Sequence, residues 1–209
     1  MIFFATSGRC AVELSLLEQL PLPQHQIRAY LELRGFRVCD VDWLTLAREC
    51  VSSSVYRLGA RTAEAPQTVD CSTLAQYLYA MRGIAIPRLS VSQRRCAMLQ
   101  VSLEEIALGD LVFATGVRGS IKRDNPDDAV GHVAFATGEG TVIQADGFRS
   151  RVVEVPIDRM FDERRQFRGA YRYIISPESV LTLEVPSEVD VVTSDDVYGH
   201  LFRQLPKRP

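Results

Sequence analysis

The sequence predicts an α+β domain, on three observations. The first half of the chain carries mostly helical spacing. The second half carries short apolar or alternating runs divided by glycine turns. No internal repeat or low-complexity tract interrupts that order. Helices first and antiparallel strands second pack as a helical layer on one side of a sheet. The 209 residues, 46% hydrophobic and 24% charged, suffice for a large domain whose core needs no disulfides.

The elements follow in order. Residues 11–20 (AVELSLLEQL) and 25–35 have helical spacing, interrupted by Pro21 and Pro23. Asp40 or Asp42 could cap a helix running from Trp43 to Leu58, where Gly59 stops it. Residues 60–69 read as a loop. Asp70 is placed to cap the next helix, Cys71 to Arg82, with Leu74, Leu78 and Met81 on one face and Gly83 as the stop. Gly109-Asp110 turns the chain into LVFAT, and residues 116–131 form a polar loop. HVAFAT and TVIQAD, split by Gly138-Glu139-Gly140, predict a hairpin. VVEVPI and GAYRYII predict two further strands. The tail from Ser176 holds one more strand, VLTLEV, and then a loosely held end. These boundaries divide the chain into a helical extension at 1–42, a main domain at 43–175 and a C-terminal extension at 176–209.

Composition narrows the partners. A formal net charge of −2 gives no reason to expect nucleic acid or an anionic membrane. The only lysines are Lys122 and Lys207, so the basic residues are nearly all arginine. Five scattered cysteines without a CxxC pair do not make a disulfide framework. His25, His132 and His200 lie far apart, so neither a metal site nor a cofactor is expected. The apolar start Met1–Ala5 is too short for a signal peptide, and no run approaches a membrane span. The default compartment is a reducing cytoplasm, with export by a non-classical route as the alternative.

Two residues carry candidate chemistry. Cys71 opens a predicted helix, where unpaired N–H groups and the helix dipole favour the reactive thiolate. It also stands three residues before Leu74 and could simply extend the apolar face. Cys10, Cys39, Cys50 and Cys96 have no comparable setting. His132 opens the strand HVAFAT. A three-residue loop at 138–140 sets Ala134 opposite Gln144 and His132 opposite Asp146. His132 and Gln144 then share a sheet face as diagonal neighbours. A two-residue loop would turn Gln144 away. On the shared face, the Gln144 amide oxygen can fix the tautomer of His132; otherwise it is a solvent-facing strand residue.

These residues stand in a recognisable frame. Asp70-Cys71-Ser72 precedes an apolar helix. Gly83-Ile84, Pro87-Arg88, Ser90, Gln93, Gly109-Asp110-Leu111-Val112-Phe113 and Gly131-His132-Val133 follow, and Tyr56-Arg57-Leu58-Gly59-Ala60 lies upstream. In order and spacing the set resembles the NlpC family of papain-like cysteine peptidases, over residues 43–175. Thr73 departs from the glycine usual after the triplet, and Gln144 stands where many members have histidine.

The resemblance implies a papain-like NlpC fold and catalysis by Cys71, His132 and Gln144. Asp70 and Ser72 would hold the free amine of a peptide, with Tyr56 near the scissile bond and Ser90 beside them. The implied substrate is a peptidoglycan stem peptide, cut between the γ-carboxyl of D-glutamate and diaminopimelate. Three alternatives stay open. The same pair could serve an amidase, deamidase or acyltransferase, although the order Cys, His, polar residue disfavours the permuted acyltransferases. The chain could be a secreted toxin or phage lysin, or a non-catalytic binding module. The terminal extensions could recruit a partner protein.

Overall fold

The structure is a computed structural model in which residues 3–116 and 129–203 are described. Most of the expected loop at 116–131, and both lysines, lie outside the described residues.

In chain order the elements are β1 (Arg9–Glu13), α1 (Leu14–Leu17), α2 (Gln24–Leu33), β2 (Arg37–Cys39), α3 (Trp43–Ser53), β3 (Val55–Tyr56), β4 (Thr68–Val69), α4 (Cys71–Met81) and α5 (Ser90–Cys96). Then come β5 (Leu99–Val101), β6 (Leu111–Ala114), β7 (His132–Ala136), β8 (Thr141–Asp146), β9 (Arg151–Pro156), β10 (Phe167–Arg172), β11 (Val180–Glu184) and α6 (Ser194–Phe202). No described helix is long and apolar enough to cross a membrane. The chain divides into two compact units. One comprises Met1–Val41, Tyr79–Ala85 and Ser176–Pro209; the other comprises Asp42–Leu78 and Ile86–Ile175.

The first unit is a three-stranded antiparallel sheet in the order β1-β11-β2. Residues 9–13 are strand, where helical spacing was expected from residue 11. Arg9–Glu13 pairs along its length with Val180–Glu184, and a short run such as Cys10-Ala11-Val12 takes whichever backbone partner the fold supplies. After VLTLEV the described residues include a helix at Ser194–Phe202, where a loosely held end was expected. Thr193 and Asp196 close a capping box, with the Asp196 carboxylate accepting the Thr193 N–H at 2.8 Å, and Val197 and Leu201 are buried. They pack with Val12, Ile27, Leu31, Phe36 and Leu183 in one apolar cluster.

The second unit carries an eight-stranded sheet, β4-β3-β9-β8-β7-β6-β10-β5, antiparallel except for the β3–β4 edge. Asp42 caps α3 through the Thr45 N–H at 3.0 Å. The helix ends at Ser53, five residues short of the expected Leu58. The Ser52 and Ser53 hydroxyls donate to the Glu49 carbonyl, and Val55-Tyr56 joins the sheet, taking Val55 N–H to the Gln67 carbonyl at 2.9 Å. Trp43 fixes α3 to α4 through Nε1–H to the Leu78 carbonyl at 2.8 Å, and its ring meets Phe135 edge-on at 5.1 Å. Gly109 has φ +93°, and a Cβ there would fall 2.3 Å from the Trp43 ring, so the turn into β6 requires glycine.

The hairpin places the site. Phe135 pairs with Ile143 and Ala136 with Val142, the register of a loop at 138–140, and the Thr137 N–H donates to the Thr141 carbonyl at 3.1 Å. Continued by two residues, that register sets His132 and Gln144 on one face.

Candidate active site

A cavity of about 410 Å³ opens in the second unit, and Cys71, His132, Tyr56, Asp70, Ser72 and Ser90 all stand on its wall. The fold thus brings together the residues singled out from the sequence. Gln144 lies directly behind His132, buried and bonded to it. His25 lines a separate groove, and His200 packs on Phe36 with ring centroids 6.3 Å apart. Cys10 and Cys50 are buried, and Cys39 and Cys96 lie off the cavity wall.

Cys71 sits at the first position of α4 because Asp70 caps that helix. The Asp70 carboxylate accepts the Thr73 N–H at 2.9 Å, and the Asp70 N–H donates to the Thr73 hydroxyl at 2.7 Å. Thr73, the departure from glycine, therefore closes a reciprocal cap and is fully buried. Asp70 also accepts from Arg88 Nη2 at 2.5 Å, and Arg88 Nη1 donates to the Ser72 hydroxyl at 2.7 Å. Gln93 ties the same turn down, donating to the carbonyls of Ser72 at 3.0 Å and Pro87 at 2.8 Å. Asp70 and Ser72, expected to hold a substrate amine, are thus already bonded to a guanidinium. Arg88 and Gln93 belonged to the recognised pattern, but nothing local assigned them these partners.

The thiol is not lowered by its place at the helix start. Burial, and then the Asp70 carboxylate, push Cys71 up to about 11, although backbone N–H groups of Val133 and Ser72 and the Arg165 charge pull the other way. Cys71 keeps part of its surface on the cavity, but the protein packed around it costs the thiolate more than the helix start returns. Burial likewise lowers His132 to about 4, helped by the nearby Arg165 charge and opposed by the Gln144 bond and Asp146. With the thiol raised and the imidazole lowered, a neutral thiol beside a neutral imidazole is favoured over a thiolate–imidazolium pair.

His132 Nε2 lies 2.6 Å from Gln144 Oε1. An amide oxygen only accepts, so Nε2 carries the proton and Nδ1 is left as the basic nitrogen of the ring. Asp146, which the hairpin sets opposite His132, accepts the Phe148 N–H at 2.8 Å and faces Arg149 at 3.7 Å. Gly131 precedes His132 because a Cβ there would fall 2.6 Å from the backbone of Gly116. Arg165 also reaches the site, with Nη1 donating to Gln144 Oε1 at 3.0 Å. In sequence it is hidden in the charged run Asp162-Glu163-Arg164-Arg165, with no local signal to separate it from a solvated surface. Among the described residues no group of His, Cys, Asp and Glu could hold a metal ion.

A cysteine opening a helix, a histidine on a strand of the sheet and a polar residue on the next strand stand together in a papain-like fold. Residues 53–168, more than half the chain, match the model of the NlpC/P60 family, and the chain belongs to that family. Among solved structures it is similar to NlpC2 from Trichomonas vaginalis, with 21% identity over 65% of this chain and 49% of that one and a TM-score of 0.51. An NlpC/P60 family protein from Bacillus cereus ATCC 10987 is 26% identical over 66% of this chain and 41% of that one, also with a TM-score of 0.51. The NlpC/p60 domain of the peptidoglycan hydrolase SagA is 24% identical over 62% of this chain and 94% of that domain, with a TM-score of 0.47. The chain spans less than half the length of the first two relatives. No curated protein matches it.

Proposed function

We propose that this chain is a cysteine endopeptidase that hydrolyses peptidoglycan stem peptides, at the bond between the γ-carboxyl of D-glutamate and diaminopimelate. The observation that carries the reading is the bond from His132 Nε2 to Gln144 Oε1 at 2.6 Å, beside a cavity that both Cys71 and His132 face. A base with one nitrogen so engaged, on the same cavity wall as a thiol at a helix start, is an arrangement that suits acyl transfer. The choice of peptide rests on the resemblance of the chain's motifs to NlpC-type wall peptidases, in the family whose model it matches.

His132 Nδ1 takes the Cys71 proton as the sulfur attacks the amide carbonyl. A C–S bond forms, and the carbonyl π pair moves to oxygen. The Cys71 N–H, unpaired within the helix, faces the developing oxyanion. The C–N bond then breaks, with the imidazolium proton going to the leaving amine. Water adds to the thioester, giving one proton to His132, and the C–S bond breaks to release the acid and restore the thiol. The Gln144 oxygen holds the ring through both proton transfers. Tyr56, Asp70, Ser72 and Ser90 line the path of the peptide, with Arg88 neutralising Asp70. A wall substrate requires the protein outside the cytoplasm.

Defined stem peptides test the reading. Wild type should release an amine-terminated diaminopimelate fragment, detected by mass spectrometry, and Cys71→Ala should release none. Equal release by both would refute the reading.

A further inference from the structure

We propose that Arg165 is the residue that sets the tautomer of His132, acting through the amide of Gln144. The inference rests on the peptidase reading for its consequence in turnover, but its geometry does not depend on any substrate.

The two ends of a glutamine amide have nearly the same shape. What decides which end meets His132 is the partner on the other side. That partner is Arg165 Nη1, 3.0 Å from Gln144 Oε1. A guanidinium has only donors, so it accepts the oxygen end and repels the NH₂ end. With the oxygen so held, His132 Nε2 at 2.6 Å must carry its proton, and Nδ1 is free to take one from Cys71. A flipped amide would donate to Nε2 and leave the proton on Nδ1, the nitrogen that has to act as base. Gln144 alone allows both arrangements; Gln144 with Arg165 allows one.

The fold holds Arg165 for this purpose. The Asp162 carboxylate accepts the N–H groups of Arg164 and Arg165, each at 2.8 Å, and residues 162 and 165 exchange backbone bonds at 3.1 Å. The next residue is tied to the end of β6: Thr115 N–H donates to the Gln166 carbonyl, and Gln166 N–H to the Thr115 hydroxyl, both at 2.9 Å. Arg165 Nε is buried without a hydrogen-bond partner, so part of the guanidinium is shut from water. The groups that act on the imidazole are Gln144 and Asp146 from β8 and Arg165, with Cys71 on the same cavity wall and Asp70 beside the thiol. Arg165 is the cation among them, and it opposes protonation of His132.

The test uses Arg165→Met and Arg165→Lys, with two readouts that need no substrate. One is the ¹⁵N chemical shifts of the His132 ring, which report the tautomer. The other is the pH profile of Cys71 alkylation by iodoacetamide. Wild type should show a single Nε2–H tautomer. Arg165→Met should show a mixture and move the His132 titration upward by about one pH unit or more. Arg165→Lys, still a donor-only cation, should keep both wild-type signatures. On stem peptides, Arg165→Met should lower kcat by about 10- to 100-fold, the scale for losing an orienting partner, with little change in KM. Gln144→Glu in the Arg165→Met background has no donor end to flip, so it should restore the Nε2–H tautomer. A single Nε2–H tautomer and an unmoved titration in Arg165→Met would overturn the proposal. A raised KM with both signatures intact would make Arg165 a substrate contact and overturn it equally. If wild type cuts no wall peptide, the proposed function falls, and the ring shifts still decide the role of Arg165. If Arg165→Met fails to fold, Arg165→Gln, whose amide can accept as well as donate, gives the same ring readout, and a single Nε2–H tautomer with an unmoved titration there would overturn the proposal.

Discussion

The buried imidazole should make this protein acid-sensitive by a calculable amount. Burial first, and the Arg165 charge second, hold His132 down to about 4, against an ordinary 6.5. In the unfolded chain the ring binds a proton below 6.5; in the fold it does not until about 4. Across that window the unfolded state binds one more proton, so stability falls as pH drops from 6.5 and stops falling on this account below about 4. At ~1.4 kcal/mol per pH unit the full loss is on the order of 3 kcal/mol. That is a large share of the roughly 5–15 kcal/mol that holds a typical domain. The perturbation is His132→Gln, which keeps a polar side chain beside Gln144 and cannot titrate. Urea unfolding of both proteins at pH 7.5, 6.5, 5.5 and 4.5 gives the difference in stability, from which all shared titrations cancel. Wild type should lose about 2–3 kcal/mol relative to the variant between pH 7.5 and pH 4.5. A difference that stays flat across that range would show that His132 keeps an ordinary affinity for protons, and the reasoning from burial would fail.

Three further outcomes follow from the same geometry. Cys71 is pushed up to about 11, so its iodoacetamide labelling should be slow at pH 7 and accelerate from pH 9 upward; the stability tied to the protonated thiol should be lost over the same rise, and Cys71→Ala should abolish that loss. Labelling already maximal at pH 7 would mean a resting thiolate–imidazolium pair instead. Gln144→Ala should cut turnover of stem peptides by about 10- to 100-fold while circular dichroism stays unchanged, and full activity would refute its orienting role. Arg88→Leu leaves the buried Asp70 carboxylate without its cation. Because Arg88 is itself about one-third exposed, the cost in urea unfolding should be about 2 kcal/mol, and no measurable cost would show the pair to be decorative.

The most legible parts of the chain were those fixed by neighbours close in sequence. The capped start of α4 follows from Asp70 and the apolar spacing behind it. The hairpin was legible at Gly138-Glu139-Gly140, and the three-residue loop, one of the two the sequence left open, is the one whose register brings His132 and Gln144 to one face. What could not be read depends on partners far along the chain. Arg9–Glu13 is a strand because Val180–Glu184 lies beside it. α3 stops at Ser53 because residues 55–56 find a place in the sheet. The Cys71 thiol follows tertiary burial over its helix position, and burial leaves no trace in local sequence. Arg165 is the clearest case: one arginine in a charged run, given a role only by a turn at Asp162 and an amide 21 residues before it.

The account's central claim is that Cys71 performs acyl transfer on wall peptides with His132 as its base. Digestion of purified peptidoglycan by wild type, Cys71→Ala and His132→Ala, with the released fragments identified by mass spectrometry, tests it most directly. The account predicts stem-peptide fragments with a new diaminopimelate amine from wild type alone, and undigested wall from both variants. Fragments of the same kind from Cys71→Ala, or wall that binds wild type and is released uncut, would contradict it.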